Sequence, residues 1–434
     1  MAVAGVSDFS VDPCFDGCAD GPSGIDGTSG TDTSTGFDTS TGSDTSTDSP
    51  VIVDGGADAA DAADAAPPSP GMTDLTLSGT GVAVGKTGVV ILTTKNAAGV
   101  QVARLGASVV FTQSGGTGVV TFSAVVDNGN GTYRATFTGV TAGTKIAVSA
   151  TLDGAPLTTA PAGLRVVNPV ATNLRISLDA ANADGANNFG GKNCAAAGLA
   201  TWTDLGANAF PGALTSFLDP CAATSGWAGL GTPENPHRLS FDGIDDHVNF
   251  GAVGSIQRQT VLVWIRKTGD GTPSATTGGG GVLNVVPIVA KGTNEAENDN
   301  VDINYYLALD ATNHLVSEYE SPANHPLTGP TVVTANVWHM VGLSLDFVGG
   351  TRAIYLDGVA DVTAVPTIAP SPGTLSRLVV GGSRTSTGGA TGQGAFQGDI
   401  AAVLTYNRAL TIAEIESSCH SFSSRFGMKN CANP

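Results

Sequence analysis

The chain has 434 residues, room for two or three domains that each bury a core. Charged residues make up only 13%, Gly reaches 59, and no long helical periodicity runs through it, which argues for all-β sandwiches. The net charge of −19 is uneven: residues 1–70 hold thirteen Asp and no Lys or Arg, so the other 364 carry only about −6. No basic footprint for nucleic acid is present, and an anionic membrane surface is disfavoured.

Residues 1–71 read as a disordered tether. DTST recurs at Asp32, Asp38 and Asp44, followed by DAADAADAA and a Pro-rich end. One-signed charge with little apolar content cannot offset chain entropy, and the repelling Asp side chains extend the segment. Residues 72–168 then carry seven short β-rich runs: Asp74–Ser78, Gly88–Thr94, Ala107–Thr112, Val119–Val126, Gly131–Thr138, Lys145–Leu152 and Gly163–Val167. That count suits an immunoglobulin-like sandwich, and Asp127-Asn128-Gly129-Asn130-Gly131 is a hairpin turn because Asn and Gly tolerate positive φ. The run VVDNGNGTYRATFTGVTAGTKIAVSATLDG resembles the immunoglobulin-like repeats of the invasin/intimin and filamin families, which implies a stalk or spacer. Tyr133 is expected in its core.

Residues 169–434 form one larger unit of about a dozen strands, patterned as a jelly-roll of two curved sheets. It opens on Leu174–Ala180. Arg238–Gly243 turns into Asp246–Phe250, and Gln259–Lys267 and Asn284–Lys291 are strongly apolar. Val301–Leu309 pairs with His314–Tyr319, and Asn336–Phe347 pairs with Thr351–Leu356 across Gly349-Gly350. Leu375–Gly381 and Phe396–Asn407 finish the set. The last strand runs straight into a helix: Thr411 and Glu414 have capping-box spacing, and Leu410 and Ile415 that of a hydrophobic staple. Trp202, Trp264 and Trp338 fall at strand positions expected in the core.

The ordered pieces LDAAN, WTDLGANAFPGAL, RLSFDGIDDHVNFG, IVAKG, YYLALDATNHLVSEY, NVWHMVGLSLD, IYLDGV, LVVGG and FQGDIAAVLTYNRALTIAEI resemble a LamG-like (laminin G type 3) jelly-roll domain. That family lies in the concanavalin A-like lectin/glucanase superfamily. The resemblance spans essentially all of 169–434, interrupted by two long inserts, Asn187–Gly198 and Phe217–Pro236. It implies a binding domain whose rim loops engage a glycan or a protein.

The superfamily includes glucanases, so a carboxylate pair is the catalytic feature to seek. The Glu-x-Asp-x-x-Glu run of those glucanases is missing here. Glu318 and Glu320 share one strand face and are the residual candidates for an enzyme alternative, a divergent polysaccharide-degrading enzyme. The expectation is a non-catalytic protein. The six His residues share no ligand spacing.

A structural calcium ion is the candidate cofactor, with a turn that holds no metal as the alternative. Asp242, Asp245 and Asp246 concentrate hard oxygen donors on a Gly-containing turn, although Asp-Gly turns also form for backbone reasons alone. The resemblance implies that a bound ion ties this turn to the closing strand at Asp399. Sugar binding needs an exposed aromatic with polar partners, and Trp227, Tyr305, Tyr306 and Tyr319 are the rings available. Six cysteines pair most simply as Cys194 with Cys221 and Cys419 with Cys431, each worth roughly 3 kcal/mol in the chain-entropy model. Cys14 and Cys18 are left without an assigned role. Disulfides imply an oxidising compartment. The expected protein is therefore extracellular or on a bacterial cell surface, although no export signal is readable and no stretch reaches the ~18–20 apolar residues of a membrane span. The function expected is adhesion or binding, with a structural surface protein lacking a specific ligand as a further alternative.

Overall fold

A computed structural model describes residues 67–186, 200–217, 224–253, 257–276, 280–292, 303–321, 323–367, 377–383 and 394–432. The tether expected over 1–71 lies almost wholly outside the described residues, as do Cys14, Cys18, Cys194 and Cys221. Residues 57–434 form one compact unit, and its architecture is all-β as the sequence pattern requires.

Within it, residues 74–167 make a first sandwich. One sheet has the order Asp74–Leu77, Thr87–Thr93, Thr132–Thr141, Val119–Phe122, with Val126–Asp127 also on Thr132–Thr141. The other runs Gly81–Ala83, Ala162–Val167, Ile146–Leu152, Val109–Ser114. Period-2 patterning drives the packing: Ile146, Val148, Ala150 and Leu152 all point into the shared core, where Tyr133 is buried as expected. The Asn-Gly turn forms with Gly129 at φ 75° and Gly131 at φ 86°. A Cβ on Gly131 would sit 2.3 Å from the Val102 carbonyl, so only glycine fits there.

Residues 174–406 build the second sandwich from two eight-stranded sheets. The first has the order Gly226–Ala228, Arg238–Asp242, Gln397–Tyr406, Arg258–Lys267, His339–Asp346, Thr351–Leu356, Val359–Ala364, with Leu174–Asp179 also pairing to Gln397–Tyr406. The second runs Thr201–Thr203, Pro211–Thr215, His247–Ala252, Arg377–Val380, Val286–Gly292, Ile303–Leu309, His314–Glu318, Leu327–Val332. The central strands are apolar on both sides because both faces of each sheet are covered. Between the sheets lie Trp202, Phe241, Val263, Leu307, Leu343 and Val403. Outside the first sheet, Trp264, Met340, Tyr355 and Tyr406 pack under Ile415, Phe426 and Met428 of the C-terminal segment. Outside the second, Tyr306, Ala308 and Val316 pack under Val282 and Val285.

The expected closing helix is Ile412–Ser423, with Thr411 as its N-cap. Thr411 Oγ1 accepts from the Glu414 amide at 3.3 Å, and Glu414 Oε2 accepts from the Thr411 amide at 2.9 Å. The Arg408 guanidinium, with Nη2 2.6 Å from Glu414 Oε1, holds the Glu414 carboxyl down at about 2. Cys419 and Cys431 form the expected disulfide, stapling the helix to the chain end.

The same helix seats the first sandwich. Ser423 Oγ accepts from the Gly81 amide at 2.8 Å, and Ser424 Oγ donates to the Gly81 carbonyl at 2.6 Å. A Cβ on Gly81 would lie 2.5 Å from His420 Cβ. Gly81–Ala83, the strand at this junction, has no counterpart among the runs expected from sequence. It is only three residues long and pairs in parallel with Ala162–Val167.

Candidate metal centre at the rim

Arg238–Asp242 and His247–Ala252 read from sequence as a hairpin-like pair, but they lie in different sheets, and the turn that crosses between them projects three carboxylates. Gly243 sits at φ 81°, and a Cβ there would meet Gln397 Cβ at 2.6 Å and Gly271 Cα at 3.0 Å, so the tight turn demands glycine. The Thr272 hydroxyl donates to the Gly243 carbonyl at 2.6 Å and fixes the turn against a neighbouring loop. Asp242 Oδ1 accepts from the Ile244 amide at 2.8 Å, and Asp246 Oδ2 accepts from the Asp242 amide at 2.9 Å. These local bonds bring one carboxylate oxygen each from Asp242, Asp245 and Asp246 within 4.8 Å of one another.

The electrostatics of this trio are unfavourable as it stands. Asp246 is fully buried, and its Oδ1 has no hydrogen-bond partner among the described residues. The Ser225 hydroxyl lies near enough to offset part of the cost without closing an aligned bond. Burial raises the Asp246 carboxyl to about 6, and the negative charges of Asp242 and Asp245 add to the rise. Among the described residues no Lys or Arg pairs with any of the three. The nearby His247 ring cannot supply charge, because burial lowers its pKa and its Nδ1 faces the Asp245 carbonyl at 2.9 Å. Oxygen-only donors, several of them anionic, suit a hard divalent cation such as calcium, with carbonyls or water needed to complete its six to eight ligands.

Asp399 does not join this group. In register it stands opposite Ser240 and Arg266, whereas Asp242 stands opposite Gln397. Its Oδ1 accepts from Ser240 Oγ at 2.6 Å and Arg238 Nε at 3.1 Å. Its Oδ2 accepts from Arg266 Nε at 2.8 Å, with Arg266 Nη2 at 2.7 Å. Two guanidinium groups take the lone pairs a metal would need, and Asp246 stands where Asp399 was expected.

The four rings proposed as a sugar platform are all buried, at 3% exposure or less. Trp227 packs edge-on against Trp202, centroids 5.4 Å apart. Tyr305 enters the inter-sheet core, while its neighbour Tyr306 points the opposite way and hydrogen-bonds Ser274 Oγ at 2.7 Å. Tyr319 stacks on His325 at 4.6 Å with Arg352 over its ring at 5.0 Å. Two-sided coverage of strand Ile303–Leu309 is the reason: alternation sends consecutive tyrosines into two different cores, and neither reaches solvent.

Glu318 and Glu320 are also buried, at 0% and 4% exposure. The Thr276 hydroxyl donates to Glu318 Oε2, and the Ile303 amide donates to Glu320 Oε2 at 3.0 Å. With its amide nitrogen turned toward them, Asn324 donates to Glu318 Oε1 at 2.5 Å and to Glu320 Oε1 at 3.0 Å. Burial pushes the Glu318 carboxyl up to about 8, and the Glu320 charge adds to it. Glu318 therefore keeps its proton at neutral pH and is sealed under the segment carrying Thr276. Neither Thr276 nor Asn324 carried a sequence signal, because their role depends on a loop folding back over a sheet.

Residues 242–416 match the family model of laminin G type 3 domains, described as the Concanavalin A-like lectin/glucanases superfamily. Similar solved structures include the carbohydrate-binding module CBM40 of Ruminococcus gnavus IT-sialidase bound to alpha2,3 sialyllactose, at 14% identity and TM-score 0.31 over 38% of this chain and 90% of that one. Domain 4 of AbnA, a GH43 extracellular arabinanase from Geobacillus stearothermophilus in complex with arabinotriose, aligns at 15% identity and TM-score 0.37 over 57% of this chain and 98% of that one. A Trypanosoma rangeli sialidase mutant displaying trans-sialidase activity aligns at 14% identity and TM-score 0.38, over 60% of this chain but 35% of its own. No curated protein matches the chain. The acidic turn from Asp242 to Asp246 and the closing strand Gln397–Tyr406 both fall within this matched segment, and residues 242–416 are thus similar to laminin G type 3 domains of the concanavalin A-like lectin/glucanases superfamily.

Proposed function

We propose that this is a non-catalytic, extracellular or cell-surface glycan-binding protein whose second sandwich holds a calcium ion at the turn that carries Asp242, Asp245 and Asp246. The observation that carries the metal is the buried, partnerless Asp246 oxygen inside a cluster of three carboxylates with no cation. Calcium there would offset two of the three negative charges, relieve the desolvation of Asp246 and offer open coordination positions to sugar hydroxyls. Membership of a lectin-containing superfamily supports the glycan, and the Cys419–Cys431 disulfide supports an oxidising compartment. Among the described residues no helix is long and apolar enough to cross a membrane. The first sandwich serves as a stalk of immunoglobulin-like type, and the Asp-rich residues 1–71 as the tether that carries it. Glu318 and Glu320, the residual carboxylate pair, are buried, which supports the non-catalytic reading.

The test is a melt of the full chain stripped with EDTA and then titrated with calcium. Calcium should raise the melting temperature by several degrees, given roughly 2–4 °C per kcal/mol for a domain of this size, and Asp246→Asn should abolish the rise. No calcium response in the wild type would sink the metal site. A glycan array flat both with and without calcium would sink the glycan reading.

A further inference from the structure

The junction between the sandwiches encloses a cleft of about 630 Å³, within the range of small-ligand sites. One wall comes from the first sandwich and carries Lys86, Arg134 and Thr136; the other carries His237, Phe422 and Arg425. Its charge is anomalous for so acidic a chain. Asp179 is the single carboxylate on the lining, and Arg425 Nη1 already donates to its Oδ2 at 2.8 Å. Lys86 and Arg134 are exposed, and among the described residues neither has an ion-pair partner. His237 adds no charge, because burial and the neighbouring Arg425 lower its pKa. The cleft therefore bears two uncompensated positive charges in a protein of net charge −19.

The walls are also fixed in place. Gly81 is hydrogen-bonded to both Ser423 and Ser424, and Arg165 Nη1 lies 3.5 Å from Glu416 Oε2 across the same junction. The lining also includes part of Phe422, a half-buried ring that packs on Trp264 at 4.3 Å and on Phe426 at 5.8 Å, together with hydroxyl groups such as that of Thr136. That combination suits the apolar face, the hydroxyls and the carboxylate of an acidic sugar.

We infer that this inter-domain cleft is a second, calcium-independent glycan site that takes an anionic oligosaccharide, its acid group held by Lys86 and Arg134. The inference rests on the glycan-binding reading but uses none of the rim carboxylates. The probe is a short oligogalacturonate, compared with its fully methyl-esterified neutral form and with a sulfated oligosaccharide of equal length, by calorimetry on the full chain in EDTA. The uronate should bind at least ten-fold tighter than the ester, and raising the salt should weaken it. The double variant Lys86→Glu/Arg134→Glu should lose ten-fold or more in affinity with an unchanged melting temperature, both side chains being exposed, while Asp246→Asn should bind as the wild type does. Tighter binding of the sulfated probe keeps the cleft and makes sulfate its preferred anion. Equal binding of uronate and ester, or a double variant that binds normally, overturns the inference. Binding that requires calcium and disappears in Asp246→Asn overturns the cleft alone and leaves the rim site standing. Failure of every glycan under both conditions removes both readings.

Discussion

Two acidic positions on one pair of strands show opposite treatments of a buried charge. Asp242 faces Gln397, and two residues along the same ladder Ser240 faces Asp399, a separation of roughly 7 Å. At Asp399 the fold supplies two arginines and a hydroxyl. At the acidic turn it supplies three carboxylates and, among the described residues, no Lys or Arg paired with them. The first arrangement is complete and serves only the fold. The second is costly as it stands, and on the calcium proposal that difference separates a structural ion pair from a binding site more clearly than the acidity of either stretch does. Glu318 and Glu320 show a third treatment, in which both carboxyls are buried and one member keeps its proton.

The strongest way to break the comparison is Asp399→Ala. It leaves Arg238 and Arg266, with side chains 13% and 27% exposed, without their counter-ion. A loss of about 3–5 kcal/mol in denaturant melts is expected, the usual cost of breaking a buried pair from one side. A loss below 1 kcal/mol, or an abolished calcium response at normal stability, would place Asp399 with the metal after all.

Asp246→Asn tests the other side and should have the opposite sign without metal. The folded carboxyl titrates near 6, above its ordinary 3.8. The folded state therefore binds the extra proton, and the associated stability is full below about 4 and lost as the pH rises through 6, by roughly 3 kcal/mol. In EDTA the wild type should melt lower at pH 7 than at pH 5 on this account. The Asn variant should be flatter with pH and more stable at pH 7. An unchanged pH profile would mean that Asp246 is not strained.

The smallest effect belongs to Glu318→Gln. At pH 4 the carboxyl is protonated whether the chain is folded or not, so an uncharged isostere should change stability by no more than about 0.5 kcal/mol. As the pH rises from about 4.5 toward 8 the wild type should lose stability while the variant does not, because the unfolded carboxyl ionises first and the folded one keeps its proton up to about 8. A large loss at pH 6 would show an ionised, partnered Glu318 and end the three-way contrast.

Local chemistry was the most legible part of the chain. The Thr411 and Glu414 capping box, the Asn-Gly hairpin with its left-handed glycines and the buried Trp202, Trp264 and Trp338 all follow from spacing and residue type. So did the gathering of Asp242, Asp245 and Asp246, because a single tight turn holds all three. Very short strands escaped: Gly226–Ala228 lies inside a stretch that reads as an insert, and Gly81–Ala83 is too brief to show a period. Tyr305, Tyr306 and Tyr319 looked available for sugar because alternation identifies which face a residue takes but not whether that face is covered.

By itself, then, the sequence determined the strand and turn alternation, the capped closing helix and the acidic turn, since each is governed by contacts within a few residues, though not that the two strands flanking that turn enter different sheets. The tertiary structure alone decided that Asp399 belongs to two arginines, that four aromatic rings are buried, and that Lys86 and Arg134 face Arg425 across a junction. Those outcomes depend on which partners distant segments bring: Arg238 reaches Asp399 across 161 positions of chain, a separation at which no local pattern carries information.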